Sequence, residues 1–454
     1  MIIGEDRATQ AARQAVAHAL QNGASGAFAL LRASDESLTR YSNSAIENST
    51  RSFEPSIYLR VTVGKRLAST SSSNLDDASI GAQAALAVDL AHKSPEMKKI
   101  PELAGPVASY PRVDGYDPAT AEMPAEGRAD LVRRAVSRLK GITGTKVYGN
   151  VVTGTDETAI ANSNGVEAYF AGSVARLQVT SIAASRGAGI ARHAGRSMAG
   201  ADPEALADAS IQKASRFSAF GDVPPGDYEV VLEPPAAGET LFHLGYLGFG
   251  GYGHLQGNSC FAGQIGQQVL SPRVTLWDDP LHSGTMCEPF DGEGTPRQRL
   301  SLVQEGIICG AVYDLETAVK AGAASTGHGL GPEGSWFSEG PFPRHLVLKP
   351  GTSSRDEMIS HVEHGLLITS FHYTRPLDPR RAVITGMTRN GTFLIRDGKI
   401  SAMLPNLRFA VSAITLLTNV REVGSDATLA GDYVCHMTPS VRTIGFSVTG
   451  KTEG

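Results

Sequence analysis

The residues of this chain with the chemistry to cut or to hold a metal are its 12 histidines, four cysteines and several paired acids. His243 stands in the most telling setting, the run GDYEVVLEPPAAGETLFHLGYLGFGG from Gly226 to Gly251. A strand over Tyr228–Leu232 followed by a helix carrying His243 is the local geometry of a helical zinc site. Such a site needs a Glu beside the first His as base, and a second His about one turn further on as ligand. Leu244 follows His243 instead, and Gly248 stands where a second His at i+5 would fall. The segment reads as a metalloprotease scaffold that lacks its metal ligands.

Other constellations have competing structural readings. His361 and His364, three apart on a helix expected over 353–364, could share one face and a metal. Histidine is also favoured at a helix C-terminus by the dipole, and Gly365 supplies the C′ residue. Cys435 and His436 fall in an expected strand, where adjacent side chains point to opposite faces and cannot chelate together. His243 and His254, with Cys435 or His436, could make an improvised zinc site, but without a carboxylate base for hydrolysis. Ser325-Thr326-Gly327-His328 places its hydroxyls and imidazole too close in sequence for an ordinary triad, and no GxSxG elbow exists. Two GxGxxG matches, Gly248–Gly253 and Gly329–Gly334, lack the preceding strand and following helix that hold a pyrophosphate. Asp278-Asp279 and the Asp291/Glu293 pair could act as acids or cation ligands, yet Asp-Asp-Pro and Asp-Gly-Glu-Gly are also turn chemistry.

The elements that must position these residues divide the 454-residue chain into expected domains at 1–110, 111–222 and 223–454. The first reads as α+β, with helices over 6–22 and 76–91 flanking strands. A proline-marked connector leads to a second unit with helices over 124–139 and 203–217 and four short strands between Lys146 and Ala184. Asp202 is its N-cap and Pro203 its first helical residue. Beyond Pro224-Pro225-Gly226 the chain becomes β-rich, with strands outnumbering helices expected over 314–322, 353–364 and 406–419. Arg396-Asp397-Gly398-Lys399 is a hairpin signal. The fold class is therefore α+β: an N-terminal α/β region followed by a β-rich C-terminal domain with few inserted helices.

Charge is balanced, 41 Lys+Arg against 46 Asp+Glu for a net −5, which excludes the basic footprint of a nucleic-acid binder. Acidic and polar residues in MIIGEDRATQ interrupt any signal-peptide core, and no apolar run reaches membrane-spanning length. Four scattered cysteines without a CxxC pair fit reduced thiols in a cytoplasmic protein.

Four blocks together resemble the TldD/PmbA family, also called modulators of DNA gyrase. They are PFDGEGTPRQRLSLVQEGIICGAVYDLETAVKAGAASTGHG (Pro289–Gly329), RYSNSAIEN (Arg40–Asn48), GDYEVVL (Gly226–Leu232) and GMTRNGTFLIRDGKISAMLPNLRF (Gly386–Phe409). The resemblance spans nearly the whole chain. It implies a zinc metallopeptidase built from two kinds of subunit: a TldD type with an HExxxH helix and a late Cys ligand, and a TldE/PmbA type without the metal. HLGYLG (His243–Gly248) and the setting of Cys435 in DYVCHMTPS depart from the TldD type. The family reading is therefore a non-catalytic TldE/PmbA-like subunit with no cofactor of its own and zinc in a TldD-like partner. Small unfolded peptides are the expected substrate. Asp291, Glu293, Ser325, Thr326 and His243 become substrate-cleft or scaffold residues. The rival expectations are a stand-alone peptidase using His243, His254, His361, His364 or Cys435, and a homodimeric regulatory protein.

Overall fold

The structure is a computed structural model that describes residues 3–331, 334, 340–431 and 434–451. The first half of the chain runs α1 (Glu5–Gln21), β1 (Gly26–Ser42), β2 (Ala45–Val63), β3 (Arg66–Ser72), α2 (Asp77–Lys93), α3 (Pro118–Ala121) and α4 (Ala125–Ser137). It continues with β4 (Thr145–Asn162), β5 (Glu167–Ala183), β6 (Ala188–Gly195) and α5 (Pro203–Ser215). All its strands form one antiparallel sheet in the order β3-β2-β1-β4-β5-β6. The expected boundary near residue 110 lies in the irregular connector between α2 and α3. The stretches on either side contribute β1–β3 and β4–β6 to the same sheet, joined along β1 and β4.

One face of that sheet carries two helix pairs. Ala27, Ala29 and Leu31 of β1 pack under α1 and α2, while Tyr41 of the same strand packs under α4 and α5 with Val147, Val151 and Leu177. The alternation of side chains along a strand places Asp35 and Ser37 on this face too, in the gap between the pairs. On the other face Phe28 and Leu30 meet Phe290 of the second half.

Two strands, β4 of 18 and β5 of 17 residues, replace the four short ones expected between Lys146 and Ala184. Glycine in a strand signals either a break or a close backbone approach, and here it is the approach. A Cβ at Gly149 would lie 1.9 Å from the Gln178 carbonyl oxygen, and one at Gly154 2.1 Å from that of Asp35. Gly172 sits inside β5 with Arg196 over it.

The second half runs β7 (Gly226–Leu232), α6 (Pro234–Leu244), α7 (Gly251–Leu255), β8 (Leu276–Asp278), β9 (Leu300–Gln304), β10 (Ile307–Ile308), α8 (Leu315–Ala321) and β11 (Leu346–Leu348). It ends with α9 (Arg355–Ser360), β12 (His364–Asp378), β13 (Val383–Arg396), β14 (Lys399–Met403), β15 (Leu407–Ser412), α10 (Ala413–Thr418), β16 (Glu422–Val423), β17 (Thr428–Ala430), β18 (His436–Thr438) and β19 (Val441–Lys451). Strand β12 pairs with both β7 and β13, so β12-β7-β19-β15-β13 closes into a barrel. Phe371, Phe409 and Phe446 come from β12, β15 and β19 and touch at centroid distances of 4.5 to 5.8 Å across its interior. A second sheet, β10-β9-β8-β11-β18-β17, shares one apolar core with the barrel. Helix α6 lies between them, against β12, β17 and β18.

The helix expected over 353–364 ends at Ser360, so His364 opens β12 and does not share a helical face with His361. The helix expected over 406–419 is strand β15 followed by α10. Strand β10 is confined to Ile307–Ile308. The hairpin at Arg396–Lys399 forms as expected, with Asp397 and Gly398 both at positive φ. Among the described residues no helix is long and apolar enough to cross a membrane.

Candidate functional site

Helix α6 begins on Pro234 and Pro235, where proline's fixed φ favours initiation. Every residue from Ala236 to Leu244 is buried, so it is a core helix. Small residues let it approach its neighbours, and a Cβ on Gly238 would lie 2.6 Å from the Ala430 carbonyl oxygen of β17. His243 lies in its last turn, its Nε2 3.4 Å from the Glu239 carboxylate one turn earlier. Neither ring nitrogen of His243 has a hydrogen-bond partner. Phe242 fills the adjoining space, edge-on to Phe342 and stacked on His436 at 6.4 Å.

Positions 244 and 248 decide what this helix can hold. Leu244 is fully buried in the apolar core. Past α6 the chain makes a π-helical turn over Gly245–Phe249, and a Cβ on Gly248 would lie 2.8 Å from the Phe261 ring. No side chain fits at 248 unless that ring moves. Among the described residues no three His, Cys, Asp or Glu side chains converge as metal ligands. Among the described residues, this helix does not offer the ligand set that zinc needs.

The other expected ligands lie apart. His254 Nε2 is 2.8 Å from the Gly248 carbonyl oxygen, and exposed His361 pairs through Nδ1 with Glu422 at 2.9 Å. Exposed His364 sits 6.0 Å from the Tyr228 ring. Cys435 precedes β18 and its thiol faces the Gly431 carbonyl oxygen. The first glycine pattern runs through the π-helical turn into α7, with no strand before it; the second reaches residues outside those described.

A buried polar chain that the sequence reading missed lies beside His436. Asp278, at the end of β8, accepts the His345 backbone N–H at 2.7 Å and faces His328 Nε2 at 3.0 Å. His328 Nδ1 is in turn 2.9 Å from Thr326 Oγ1. Burial works to raise the Asp278 carboxyl, but the His328 imidazole and the hydrogen bonds from His328 and His345 outweigh it and hold it low. Carboxylate, imidazole and hydroxyl thus stand in the order of a catalytic triad. The hydroxyl is not available as a nucleophile, because Tyr313 holds it through its N–H at 2.7 Å and its carbonyl at 3.0 Å. Ser325 Oγ donates to the same carbonyl, and His328 and Asp278 are completely buried. The chain braces the 325–328 loop. The signal that could have found it is Asp278 itself, an acid at the end of an apolar strand, where a buried partner is required.

Asp291 braces a second loop. Its carboxylate accepts the backbone N–H groups of Glu293, Thr295 and Gly329 at 2.9, 2.9 and 2.7 Å. Glu293 accepts from the Leu315 N–H at the start of α8. Burial, then the Asp291 charge, pushes the Glu293 carboxyl up to about 8. Buried Arg297 ties the two loops together by donating to the Phe290 and Gly327 carbonyl oxygens and to Glu288. Tyr110 donates to the Gly294 carbonyl oxygen, so the Asp291 loop docks the second half on the sheet of the first.

Away from this contact the halves separate around a cleft of about 580 Å³. Arg176, Arg192 and Lys213 line it from the first half; Glu233, Arg355 and Cys435 line it from the second. Glu233, the N-cap residue of α6, receives Lys213 at 2.6 Å and Arg355 at 2.9 Å. Edge strands β6 and β17 border the opening.

Comparison with known proteins matches residues 225–450 to the PmbA/TldA metallopeptidase C-terminal domain and residues 118–217 to the central domain of the same family. A metalloprotease of Methanothermobacter thermautotrophicus is 27% identical over 326 residues, 68% of this chain and 69% of that protein. A metalloprotease TldD homologue of Buchnera aphidicola is 28% identical over 204 residues, a match covering 44% of this chain and 41% of the relative. The fold matches that of TldE from Thermococcus kodakarensis with a TM-score of 0.86 at 19% identity, covering 97% of this chain and all of that one. It also matches a modulator of a DNA gyrase from Thermotoga maritima, with a TM-score of 0.82 at 19% identity over 97% and 99% of the chains.

Proposed function

The chain belongs to the PmbA/TldD metallopeptidase family, and from that premise we propose that it is the metal-free, TldE-like subunit of a heterodimeric zinc peptidase. One observation carries the reading. The helix that would hold the ion offers a single histidine, with buried Leu244 in the place of the base and a Gly248 whose side-chain space Phe261 fills.

The role left to such a subunit is to hold substrate and partner. Edge strands carry unpaired backbone groups along which an extended peptide can add as a further strand. The cleft bordered by β6 and β17 offers two such edges. The substrates are therefore small or unfolded peptides, and zinc is supplied by a TldD-type partner. Asp291, Glu293, Ser325 and Thr326 serve as scaffold, because their polar atoms are engaged with backbone groups.

The test combines the purified chain with a TldD-type metallopeptidase subunit and follows hydrolysis of an unstructured peptide. The chain alone is expected to be inactive and to hold well under one equivalent of zinc, whereas the pair cleaves and is stopped by a chelator. Chelator-sensitive turnover by this chain alone, or failure to associate with a TldD-type chain, overturns the reading.

A further inference from the structure

Helix α2 departs from the pattern of the other helices on the first sheet. Its inner face, Ile80, Ala84, Ala87, Val88 and Ala91, is buried in the core it shares with α1 and the sheet. A helix packed on one side ordinarily turns charged residues to water on the other. Helices α1 and α4 do so, exposing Glu5, Asp6, Arg7 and Arg13 on one and Asp130, Arg133 and Arg134 on the other. From Ala78 to Val88, about three turns of α2, no residue is charged. Ala82, Ala85, Leu86 and Leu90 are exposed instead, Leu86 by 52% and Leu90 by 39%. Three or four residues apart, they form one apolar stripe along the outside of the helix. A helix apolar on every side belongs in an interior, and this stripe stays open.

The two ends of the helix indicate what closes it. Asp76 and Asp77 stand at its start, His92 and Lys93 in its last turn. A second α2 laid antiparallel sets its basic end on the acidic start, at both ends of the contact, and opposes the two helix dipoles. A parallel copy would bring like charges together. The ion pairs these groups already make, Asp77 with His18 and Lys93 with Asp89, are exposed and worth little, so they do not compete strongly. The stripe follows the same symmetry. With the two-fold axis at Leu86, Ala82 of one copy faces Leu90 of the other, small against large, on either side of the axis.

We propose that the outer face of α2 docks a second copy of this chain, the two helices packing antiparallel about a two-fold axis at Leu86. The proposal does not rest on the peptidase reading, because no residue of α6 or of the interdomain cleft takes part. One helix on its copy buries less than the ~1,200 Å² of tight complexes, so the dimer forms with a Kd on the order of 10 µM.

The experiment is sedimentation equilibrium of the full chain alone, over concentrations that bracket that Kd. Wild type should pass from monomer to dimer. Leu86→Glu places two like charges at the axis and should weaken the dimer about ten-fold or more. Because position 86 is exposed, the Leu86→Glu monomer should melt as the wild-type monomer does. Arg13→Glu, an equal change of surface character on the outer face of α1, should leave the association unchanged. A wild type that stays monomeric overturns the proposal. If that monomer binds a TldD-type chain that Leu86→Glu fails to bind, the stripe belongs to that partner instead. A dimer that survives Leu86→Glu overturns the proposal too, because the copies then meet elsewhere. Failure to associate with a TldD-type chain tells against the peptidase reading alone.

Discussion

At the scale of single residues, the second half holds three histidines, His254, His345 and His436, whose pKa burial lowers. His436 is completely buried, both its ring nitrogens lack partners, and burial lowers its pKa from the model-peptide 6.5 to about 3. Protonation therefore favours the unfolded chain. The stability it contributes is whole above about pH 6.5 and is lost as pH falls toward 3. At pH 5 the loss from this one group is about 2 kcal/mol. Glu293 pulls the opposite way: its raised pKa favours the folded chain at low pH, and that contribution fades as pH rises toward 8. A mutant difference isolates the histidine. His436→Phe keeps the stack on Phe242 and removes the titration, so urea midpoints measured from pH 7.5 to 5 should fall less steeply than in wild type. Parallel profiles would mean that His436 is already satisfied in the folded state.

At the scale of elements, the local signals were legible and the long-range ones were not. The N-cap at Asp202, the hairpin at Arg396–Lys399 and helix α8 rest on a few adjacent residues, and all form. Closure of the barrel rests on β12 meeting both β7 and β13, which no window of sequence contains. Gly149 and Gly154 belong in a long strand for a long-range reason too: the carbonyls of Gln178 and Asp35 press on them from neighbouring strands. Of the site, the identities at 244 and 248 were readable, whereas the Asp278–His328–Thr326 chain needed β8 and a distant loop brought together. The structure adds why the helix tolerates its residues: they are packed as core. Restoring the zinc-type pattern by Leu244→Glu with Gly248→His should therefore destabilise by about 3 kcal/mol or more, from a buried carboxylate and a clash with Phe261. It should bring no stoichiometric zinc. Elemental analysis and melting of the double variant check both; one equivalent of zinc in an unweakened protein would show that only the two side chains were missing.

At the scale of the molecule, two of the contacts that pin the halves together differ in kind, and one of them lies in the cleft wall. One pin is apolar, Phe290 against Phe28, Leu30 and the Tyr110 ring at 5.1 Å. The other is ionic: Glu233 between Lys213 of the first half and Arg355 of the second, inside the cleft wall. Burial alone would raise the Glu233 carboxyl, but Lys213 and Arg355 bring it down to about 2, so it stays charged at neutral pH. Glu233→Gln would leave two cations facing each other without their counter-ion, at a cost of about 3 kcal/mol or more. The apolar pin should keep the halves attached while the cleft loosens. If the cleft seats the peptide and the partner does the chemistry, the loss falls on binding and not on the cleavage step. Assayed with its TldD-type partner, Glu233→Gln should raise KM for an unstructured peptide several-fold with kcat little changed. A fall in kcat at constant KM would instead place Glu233 among the groups that organise the partner's catalytic centre. An unchanged KM and kcat would remove the cleft from the path of the substrate.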